Sequence, residues 1–299
     1  MPDFEGPYGP ISLPDSEPPI QAAGDYGDLG FLMNWAAALQ SEFQRLEDRP
    51  LPAYLKFIAY GVLNEEYDGA SGLGVILYCD DADQESGVLG SVPVGDVLFP
   101  IAVRRVRSDT LTAPPGLNGA TPTCWASSNR PGVGEGFLTA KHVLGPSPEA
   151  GLRVPLTGGG HAKLIDRAPE CIDAVLLSHA IDTTNPIKTN WSVALTQAVE
   201  VDGNTSGISP ARVTAVADPL GSWATMRPLS ALSLKFLVSF TGQLGDSGAL
   251  VHADPRYGPS DGLGIYLGTF SYPDQNFSEG YCQHLEQIRQ LMNLDLYLL

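Results

Sequence analysis

Short apolar runs separated by Gly, Pro and Asp, rather than long helical stretches, dominate the chain from residue 55 onward. Runs of this length that are rich in Val, Ile, Leu and Tyr predict β-strands. Three of them precede residue 107, at Leu55–Leu63, Gly72–Tyr78 and Val97–Val106. Ahead of them, apolar residues recur at intervals of three and four between Asp28 and Glu47, which predicts one amphipathic helix.

The strand pattern continues beyond residue 118. Its clearest runs are Gly136–Val143, Ala174–Leu177, Ala211–Ala217, Leu232–Phe240, Ala249–His252 and Gly264–Phe270. A helical period returns only at Cys282–Met292, where Leu285, Ile288 and Leu291 share one face. Short strands with frequent turn signals and one late helix predict a mainly β domain closed by a C-terminal helix and preceded by a small α+β region.

Turn-forming residues also suggest where the chain divides. Residues 1–26 are rich in Pro, Gly and acidic residues, which is typical of a loose tail. Residues 27–111 would form the small α+β module, residues 112–117 a linker, and residues 118–299 the β domain. The pattern allows residues 27–110 either to fold independently or to extend the first β-barrel.

Composition narrows the class of protein. The 299 residues are 43% hydrophobic and 17% charged, which is typical of a folded protein with a real core. The formal net charge is -17 and no basic run is present, so a nucleic-acid partner is not expected. No stretch approaches the roughly 20 apolar residues that a membrane helix needs. We therefore expect no nucleic-acid partner, no membrane partner and no cofactor.

The cysteines and the first residues of the chain favour a cytoplasmic protein. Four cysteines, at positions 79, 124, 171 and 282, show no CxxC pair and no metal-ligand spacing. The acidic, proline-rich start lacks the basic and apolar regions of a secretory signal. We therefore expect free thiols, no metal site and a cytoplasmic location.

Candidate chemistry lies in the segment Gly245-Asp-Ser-Gly-Ala249. A serine hydroxyl becomes a nucleophile when a tight turn places it beside a base, and flanking glycines allow such a turn. By itself this segment is equally typical of an ordinary β-turn. Likewise, His142 near the end of an apolar run and Asp173 just before another would separately be ordinary residues at strand ends. Their order along the chain, His142, Asp173, Ser247, makes coincidence less plausible.

At these residues the chain resembles the chymotrypsin/trypsin-like serine protease family, of the kind found in intracellular bacterial proteins. The resemblance rests on Leu138-Thr-Ala-Lys-His142, Asp173-Ala-Val-Leu-Leu177 and Gly245-Asp-Ser-Gly-Ala-Leu250, and it covers about residues 118–299. It implies two successive six-stranded-type β-barrels, with His142 and Asp173 on the first and Ser247 on the second.

The resemblance also implies a role for each residue. His142 would be the general base, Asp173 would orient it, and the backbone N–H groups of Gly245 and Ser247 would hold an oxyanion. The substrate pocket would be floored by Thr241, with Leu244 at its rim and Gly268 in its wall. Because Thr241 is neutral, an uncharged substrate residue of modest size is expected there.

One departure from the family concerns Asp246. In secreted members the equivalent aspartate pairs with a new amino terminus released by cleavage, yet no Ile-Val-Gly-Gly-like site precedes His142. Asp246 therefore needs another partner, such as backbone N–H groups, or the turn is assembled only on a signal.

Three functions follow from these residues. The first is a serine endopeptidase that acts on specific intracellular proteins and binds a regulatory partner through its N-terminal region. The second is a catalytically silent or conditionally activated protease-like fold that acts as a protein-binding module. The third is an esterase or acyl-transferase that uses the same triad.

Overall fold

The structure is a computed structural model of the chain. It describes residues 4–6, 9–11, 55–79, 86–94, 97–109, 121–145, 147–156, 160–169, 172–181, 185–190, 193–217, 235–257, 260–272 and 278–299. The helix predicted between Asp28 and Glu47, the linker predicted at residues 112–117 and Cys171 lie outside these residues. The division into a module at 27–111 and a domain at 118–299 therefore stays a prediction.

Two compact units make up the chain. Unit 1 consists of Met1–Ser108, Thr214–Arg227 and Ser271–Phe277, and unit 2 consists of Asp109–Val213, Pro228–Phe270 and Ser278–Leu299. None of the helices in the described ranges has the length and apolarity that crossing a bilayer requires.

Unit 1 is built on a twisted sheet. Its elements are β1 (Phe4–Gly6), β2 (Gly9–Ile11), β3 (Leu55–Leu63), helix α1 (Glu65–Asp68), β4 (Gly72–Cys79), β5 (Gly87–Val94) and β6 (Val97–Arg105), and β7 (Arg107–Asp109) follows at its boundary. β1 and β2 form a hairpin. β3, β4, β6 and β5 lie side by side in that order, and β4 and β6 run parallel. β4 is buried over nearly its whole length, as a near-continuous apolar run predicts.

A buried ion pair joins α1 to β6. Arg104 donates from Nε to Asp68 Oδ1 and from Nη2 to Asp68 Oδ2, both at 2.8 Å. Nη2 also donates to the carbonyl of Val62 at 2.9 Å, and Nη1 to the hydroxyl of Tyr78 at 3.3 Å. Asp68 is 0% exposed and Arg104 4% exposed. The carboxylate additionally accepts from the N–H of Asn64 at 2.8 Å, so both charges are paired and hydrogen-bonded.

Replacing Arg104 by methionine is expected to lower the free energy of unfolding by about 3–5 kcal/mol, because the Asp68 charge would stay buried without its partner. Urea denaturation followed by circular dichroism measures this loss. The matched control adds Asp68→Asn to Arg104→Met and should recover part of the stability, since no unpaired charge then remains buried. A double variant less stable than the single one would contradict this account.

Unit 2 holds the remaining strands. They are β8 (Cys124–Ser128), β9 (Glu135–Thr139), β10 (Arg153–Pro155), β11 (His161–Arg167), β12 (Val175–Ser178), β13 (Ala198–Gly203), β14 (Gly207–Ala217), β15 (Lys235–Val238), β16 (Leu250–Ala253), β17 (Gly262–Ser271), β18 (Ser278–His284) and β19 (Leu294–Tyr297). The helical elements are a 3-10 turn at Lys141–Leu144 and helix α2 at Leu285–Met292. The last residues of β14, 214–217, belong to unit 1, where Ala215 and Val216 pair with β3.

The strands of unit 2 form two six-stranded arrangements. The first has the order β10-β11-β12-β9-β8-β19, so the C-terminal strand joins the sheet that also holds β9 and β12. The second has the order β13-β16-β17-β18-β15-β14, and β13 also pairs with β14, which closes the ring into a barrel. Closure leaves no free strand edge in that ring. The prediction of a mainly β, chymotrypsin-like double barrel with a C-terminal helix is confirmed.

Strand ends differ from the predicted runs near the candidate site. The run predicted at Gly136–Val143 ends as a strand at Thr139, and His142 lies in the 3-10 turn that follows. Apolar periodicity could not reveal this end, because Val143 and Leu144 are buried by the turn just as strand residues would be. At the C-terminus, Cys282 belongs to β18, and α2 begins only at Leu285.

Candidate active site

Strand pairing brings His142 and Asp173 together. β9 and β12 are antiparallel neighbours in which Thr139 lies opposite Val175. His142 follows Thr139 by three residues and Asp173 precedes Val175 by two, so both lie at the same end of the strand pair. His142 Nδ1 is 2.7 Å from Asp173 Oδ2, and the His142 backbone N–H donates to Asp173 Oδ1 at 2.9 Å. The carboxylate thus holds both the ring and the backbone of the histidine.

The charge of Asp173 is stabilised where it lies. Burial acts to raise the pKa of this carboxyl, but the hydrogen bonds and positive charge of His142 and the nearby charge of Lys141 outweigh it, so its pKa lies below the usual 3.8. Lys141 donates from Nζ to the carbonyl of Ile172 at 2.8 Å, which fixes this cation beside the carboxylate. Asp173 is therefore held in its anionic form beside the His142 ring.

The second ring nitrogen of His142 is available as a base. Because the Asp173 carboxylate accepts at Nδ1, the neutral ring carries its proton there and its lone pair at Nε2. His142 Nε2 is buried and, among the residues the structure describes, has no hydrogen-bond partner. An oriented imidazole with an unoccupied lone pair can take a proton from a nearby hydroxyl.

Ser247 lies on a tight turn. Gly245 and Gly248 have φ of 106° and 98°, which side chains other than glycine rarely adopt. The Asp246 N–H donates to the Gln243 carbonyl at 3.0 Å, and the Ala249 N–H donates to the Asp246 carbonyl at 2.9 Å. A Cβ on Gly248 would lie 2.1 Å from the Thr121 carbonyl oxygen, so only glycine allows the turn to approach so closely.

Three buried threonines fasten the serine turn to the histidine strand. Thr121 donates its N–H to the Ser247 carbonyl at 2.9 Å, and Thr123 Oγ1 donates to the Gly248 carbonyl at 2.6 Å. Thr139 Oγ1, on the strand that leads to His142, donates to the Thr121 carbonyl at 2.8 Å. The turn that carries Ser247 and the strand that leads to His142 therefore share one hydrogen-bonded support.

These threonines could not be recognised from the sequence. Thr121 lies within the stretch Thr112–Pro122, whose composition is typical of a loop. The hydroxyls of Thr121 and Thr123 bond to residues 124 and 125 positions away, so no local pattern marks them. Two threonines directly before a strand are the only trace in the sequence, and that is too common to be a signal.

Ser247 Oγ and His142 Nε2 are not hydrogen-bonded to each other. Ser247 is 1% exposed, and its Oγ lies 3.4 Å from the Leu267 carbonyl oxygen. Since His142 Nε2 has no partner within the described ranges, the hydroxyl and the ring are not joined here. Such bonds are often long before substrate binds, and the serine side chain reorients by rotation about one bond.

Asp246 is held by hydrogen-bond donors that the sequence could not identify. This residue is 0% exposed. Its Oδ1 accepts from the N–H groups of Thr205 and Ser206 at 2.9 and 3.0 Å, and its Oδ2 accepts from Ser206 Oγ at 2.6 Å and from the Gln243 N–H at 2.7 Å. Burial acts to raise the pKa of Asp246, but these hydrogen bonds outweigh it and hold the pKa below its usual value.

The other residues predicted at the site surround the turn. Gly245 is buried, and its carbonyl accepts from Thr121 Oγ1 at 2.7 Å. Thr241 is exposed and Leu244 is 55% exposed. Gly268 follows Leu267, whose carbonyl faces Ser247 Oγ, and is buried. Nothing in these contacts by itself assigns a substrate to them.

Tyr266 lies beside this turn. It is 0% exposed. Its hydroxyl accepts from the Gly242 N–H at 2.9 Å and lies 2.7 Å from Thr269 Oγ1. A Cβ built on Gly242 or Gly280 would come within 2.7 Å of its ring, so glycines on both sides make room for it. Burial raises its pKa to about 12.

The remaining histidines lie in other surroundings. His179 contacts the ring of Trp125 at a centroid distance of 5.1 Å, and His252 Nδ1 lies 2.9 Å from Ser260 Oγ. His284 is buried against Phe236, and burial lowers its pKa to about 3. Among the described residues, no group of three or more His, Cys, Asp or Glu side chains is placed to hold a metal ion.

Comparison with known proteins finds no matching family model and no matching curated protein. Solved structures do match. Nocardiopsis protease (NAPase) is 16% identical, with a TM-score of 0.43, over 60% of this chain and 94% of that chain. Thermobifida fusca protease A is 14% identical, with a TM-score of 0.43, over 60% and 91%. Cellulomonas bogoriensis chymotrypsin is 14% identical, with a TM-score of 0.40, over 60% and 99%. At these values the likeness concerns the fold alone, and no residue role is taken from it.

Proposed function

We propose that this protein is a serine endopeptidase that hydrolyses peptide bonds with Ser247, His142 and Asp173. The observation that carries the proposal is the doubly hydrogen-bonded His142–Asp173 pair, which leaves a buried lone pair at Nε2. The threonine support that ties the Ser247 turn to the histidine strand agrees with it. Specific cytoplasmic proteins are the proposed substrates, and a regulatory partner would bind the N-terminal region.

The reaction follows from these positions. Ser247 Oγ attacks the substrate carbonyl carbon while His142 Nε2 takes its proton, and Asp173 stabilises the imidazolium that forms. The carbonyl oxygen becomes an anion and accepts from the N–H groups of Gly245 and Ser247. His142 then gives the proton to the departing amine, which leaves an acyl-serine. Water repeats the two steps, releases the acid and restores the serine.

A small substrate side chain fits this site best. The residue before the scissile bond would place its side chain beside residues 241–244 and Gly268. Tyr266 fills that neighbourhood with its ring against Gly242 and its hydroxyl bonded to the Gly242 N–H. Position 241 is a neutral threonine, so it offers no carboxylate to pair with an Arg or Lys of the substrate. The proposed substrate class is therefore peptides with Ala, Ser or Gly before the cleaved bond.

A series of peptide anilides that differ only at this residue measures the preference. We expect kcat/KM for alanine to exceed that for phenylalanine and for arginine by about 100-fold, since a filled pocket excludes large side chains and leaves a cation unpaired. Tyr266→Leu, which replaces the phenol ring by a smaller side chain, should reduce the ratio of kcat/KM for the alanine substrate to kcat/KM for the phenylalanine substrate. Equal rates for alanine and phenylalanine in the wild type would contradict the assignment.

A second candidate, the catalytically silent or conditionally activated binding module, is favoured by one observation. Ser247 Oγ faces the Leu267 carbonyl rather than His142 Nε2. A fold that stayed in this arrangement would bind peptides without cleaving them.

Labelling with a fluorophosphonate separates the two candidates. The reagent reacts only with a serine that a base activates, so an endopeptidase is labelled and a silent fold is not. Gel fluorescence of the purified full chain gives the readout, and Ser247→Ala serves as the control for labelling elsewhere. Folded wild-type protein that takes up no label would contradict the endopeptidase proposal and favour the binding module. Labelling with rapid turnover of small esters but no peptide cleavage would point to an esterase instead.

A further inference from the structure

The hairpin between β13 and β14 reaches the turn that would hold the oxyanion. Gly203 pairs with Gly207 at the end of this hairpin, which leaves Asn204, Thr205 and Ser206 as its tip. The approach is close, because a Cβ on Gly203 would lie 2.5 Å from Asp246 Oδ1. The successive N–H groups of Thr205 and Ser206 both donate to that oxygen, in the manner of a backbone anion site.

The tip satisfies the buried carboxylate of Asp246. An ionised carboxylate offers about four acceptor positions. The tip provides three donors, two N–H groups and Ser206 Oγ, and the N–H of Gln243 provides the fourth. A buried anion with this many hydrogen bonds needs no cation. A cleaved amino terminus is thus not required to hold Asp246 in place.

The tip also orients the peptide that carries one oxyanion donor. Thr205 Oγ1 donates to the Leu244 carbonyl at 2.9 Å. Because a peptide bond is planar and trans, fixing the Leu244 carbonyl fixes the Gly245 N–H in the opposite direction. The Asn204 N–H bonds to Thr121 Oγ1 at 2.9 Å, and that hydroxyl donates to the Gly245 carbonyl at 2.7 Å. The carbonyl groups of Leu244 and Gly245 are therefore both fixed by hydrogen bonds, the first directly from the hairpin tip and the second through Thr121.

We propose that residues 203–206 are a built-in organiser of the oxyanion turn, with Thr205 and Ser206 as its positioning residues. The organiser is part of the folded chain, so the turn is formed without proteolytic activation. This inference rests on the proposed function, because the turn matters for catalysis only if Ser247 is a nucleophile.

Kinetics of Thr205→Val and Ser206→Ala test the organiser. Removing an oxyanion donor outright costs about 10²–10³ in kcat, so misorienting one should lower kcat by about 10-fold. KM should stay within about twofold, since only the transition state uses this donor. Thr205→Ser, which keeps the hydroxyl, should restore kcat. Ser209→Ala is the matched control, because Ser209 lies on the same hairpin and its hydroxyl donates to the Gly207 carbonyl rather than to the oxyanion turn.

Amide hydrogen exchange of residues 243–249 tests the organiser without any activity. The N–H groups of Asp246, Gly248 and Ala249 are hydrogen-bonded within the turn or to β17. In Thr205→Val and Ser206→Ala they should exchange about 10-fold faster, because local opening becomes easier, and in Ser209→Ala they should not change. Unchanged exchange in both variants would overturn the organiser, and so would unchanged kcat in an active protein. Faster exchange in the two variants, together with a wild type that cleaves no peptide, would refute the proposed function and leave the organiser standing.

Discussion

Replacing Ser247 by alanine is expected to lower kcat for a peptide substrate by about 10⁶, the size of loss known for the nucleophile of other serine proteases. The reason is that Ser247 supplies the proposed nucleophile, on a turn that Thr121 and Thr139 tie to the strand of His142. Initial rates on an alanine-containing peptide anilide measure the loss, and fluorophosphonate labelling should vanish with it.

Two comparisons make this result specific. Stability should change little, because the bond from Ser247 Oγ to the Leu267 carbonyl is long, at 3.4 Å, and alanine keeps the backbone hydrogen bond from Thr121 to residue 247. His142→Ala should cost nearly as much activity as Ser247→Ala, and the double variant no more, since the two residues act as a unit. Residual cleavage within about 10-fold of wild type in Ser247→Ala would show that the nucleophile lies elsewhere.

Asp173→Asn is expected to lower kcat by about 10⁴ while leaving the fold intact. The amide can still accept from the His142 backbone N–H, but its NH₂ group would donate to Nδ1 and move the ring proton to Nε2. The histidine would then present a proton to Ser247 instead of a lone pair. Steady-state kinetics measure the loss, and a rate within about 10-fold of wild type would contradict the orienting role.

The pH dependence of stability gives an independent check on Asp173. Its folded pKa lies below the usual 3.8, so its contribution to stability is complete above that value and is lost as the pH falls through the folded pKa. The Tm of the wild type should therefore exceed that of Asp173→Asn above about pH 4 and converge with it in stronger acid. If the Tm difference between the wild type and Asp173→Asn grew as the pH fell, it would contradict a stabilising carboxylate at position 173.

Many of the strands could be predicted from local pattern. The run Leu55–Leu63 corresponds to β3 residue for residue, and the runs at 72–78, 97–106 and 264–270 differ from their strands by only one or two residues at an end. Strand existence follows from apolar runs between turn residues, which is a property of neighbouring positions. The end of β9 at Thr139 was missed, because a buried 3-10 turn and a buried strand give the same apolar pattern.

The sequence by itself determined which residues could form a catalytic triad. The pattern placed His142 near the end of one apolar run and Asp173 just before another, and the glycines around Ser247 marked a tight turn. These features depend on residues only a few positions apart, so they can be seen without the fold.

Only the tertiary structure decided how the site is held. The partner of Asp246 is a hairpin tip 40 and 41 residues earlier in the chain, and the supports of the Ser247 turn are hydroxyls more than 120 residues away. Tyr266 reaches Gly242 only because β17 passes beside the turn. Threonine, serine and tyrosine occur in all kinds of surroundings, and their hydrogen bonds at long sequence separation depend on how strands pack. No local pattern records that packing, so these residues became visible only in the folded chain.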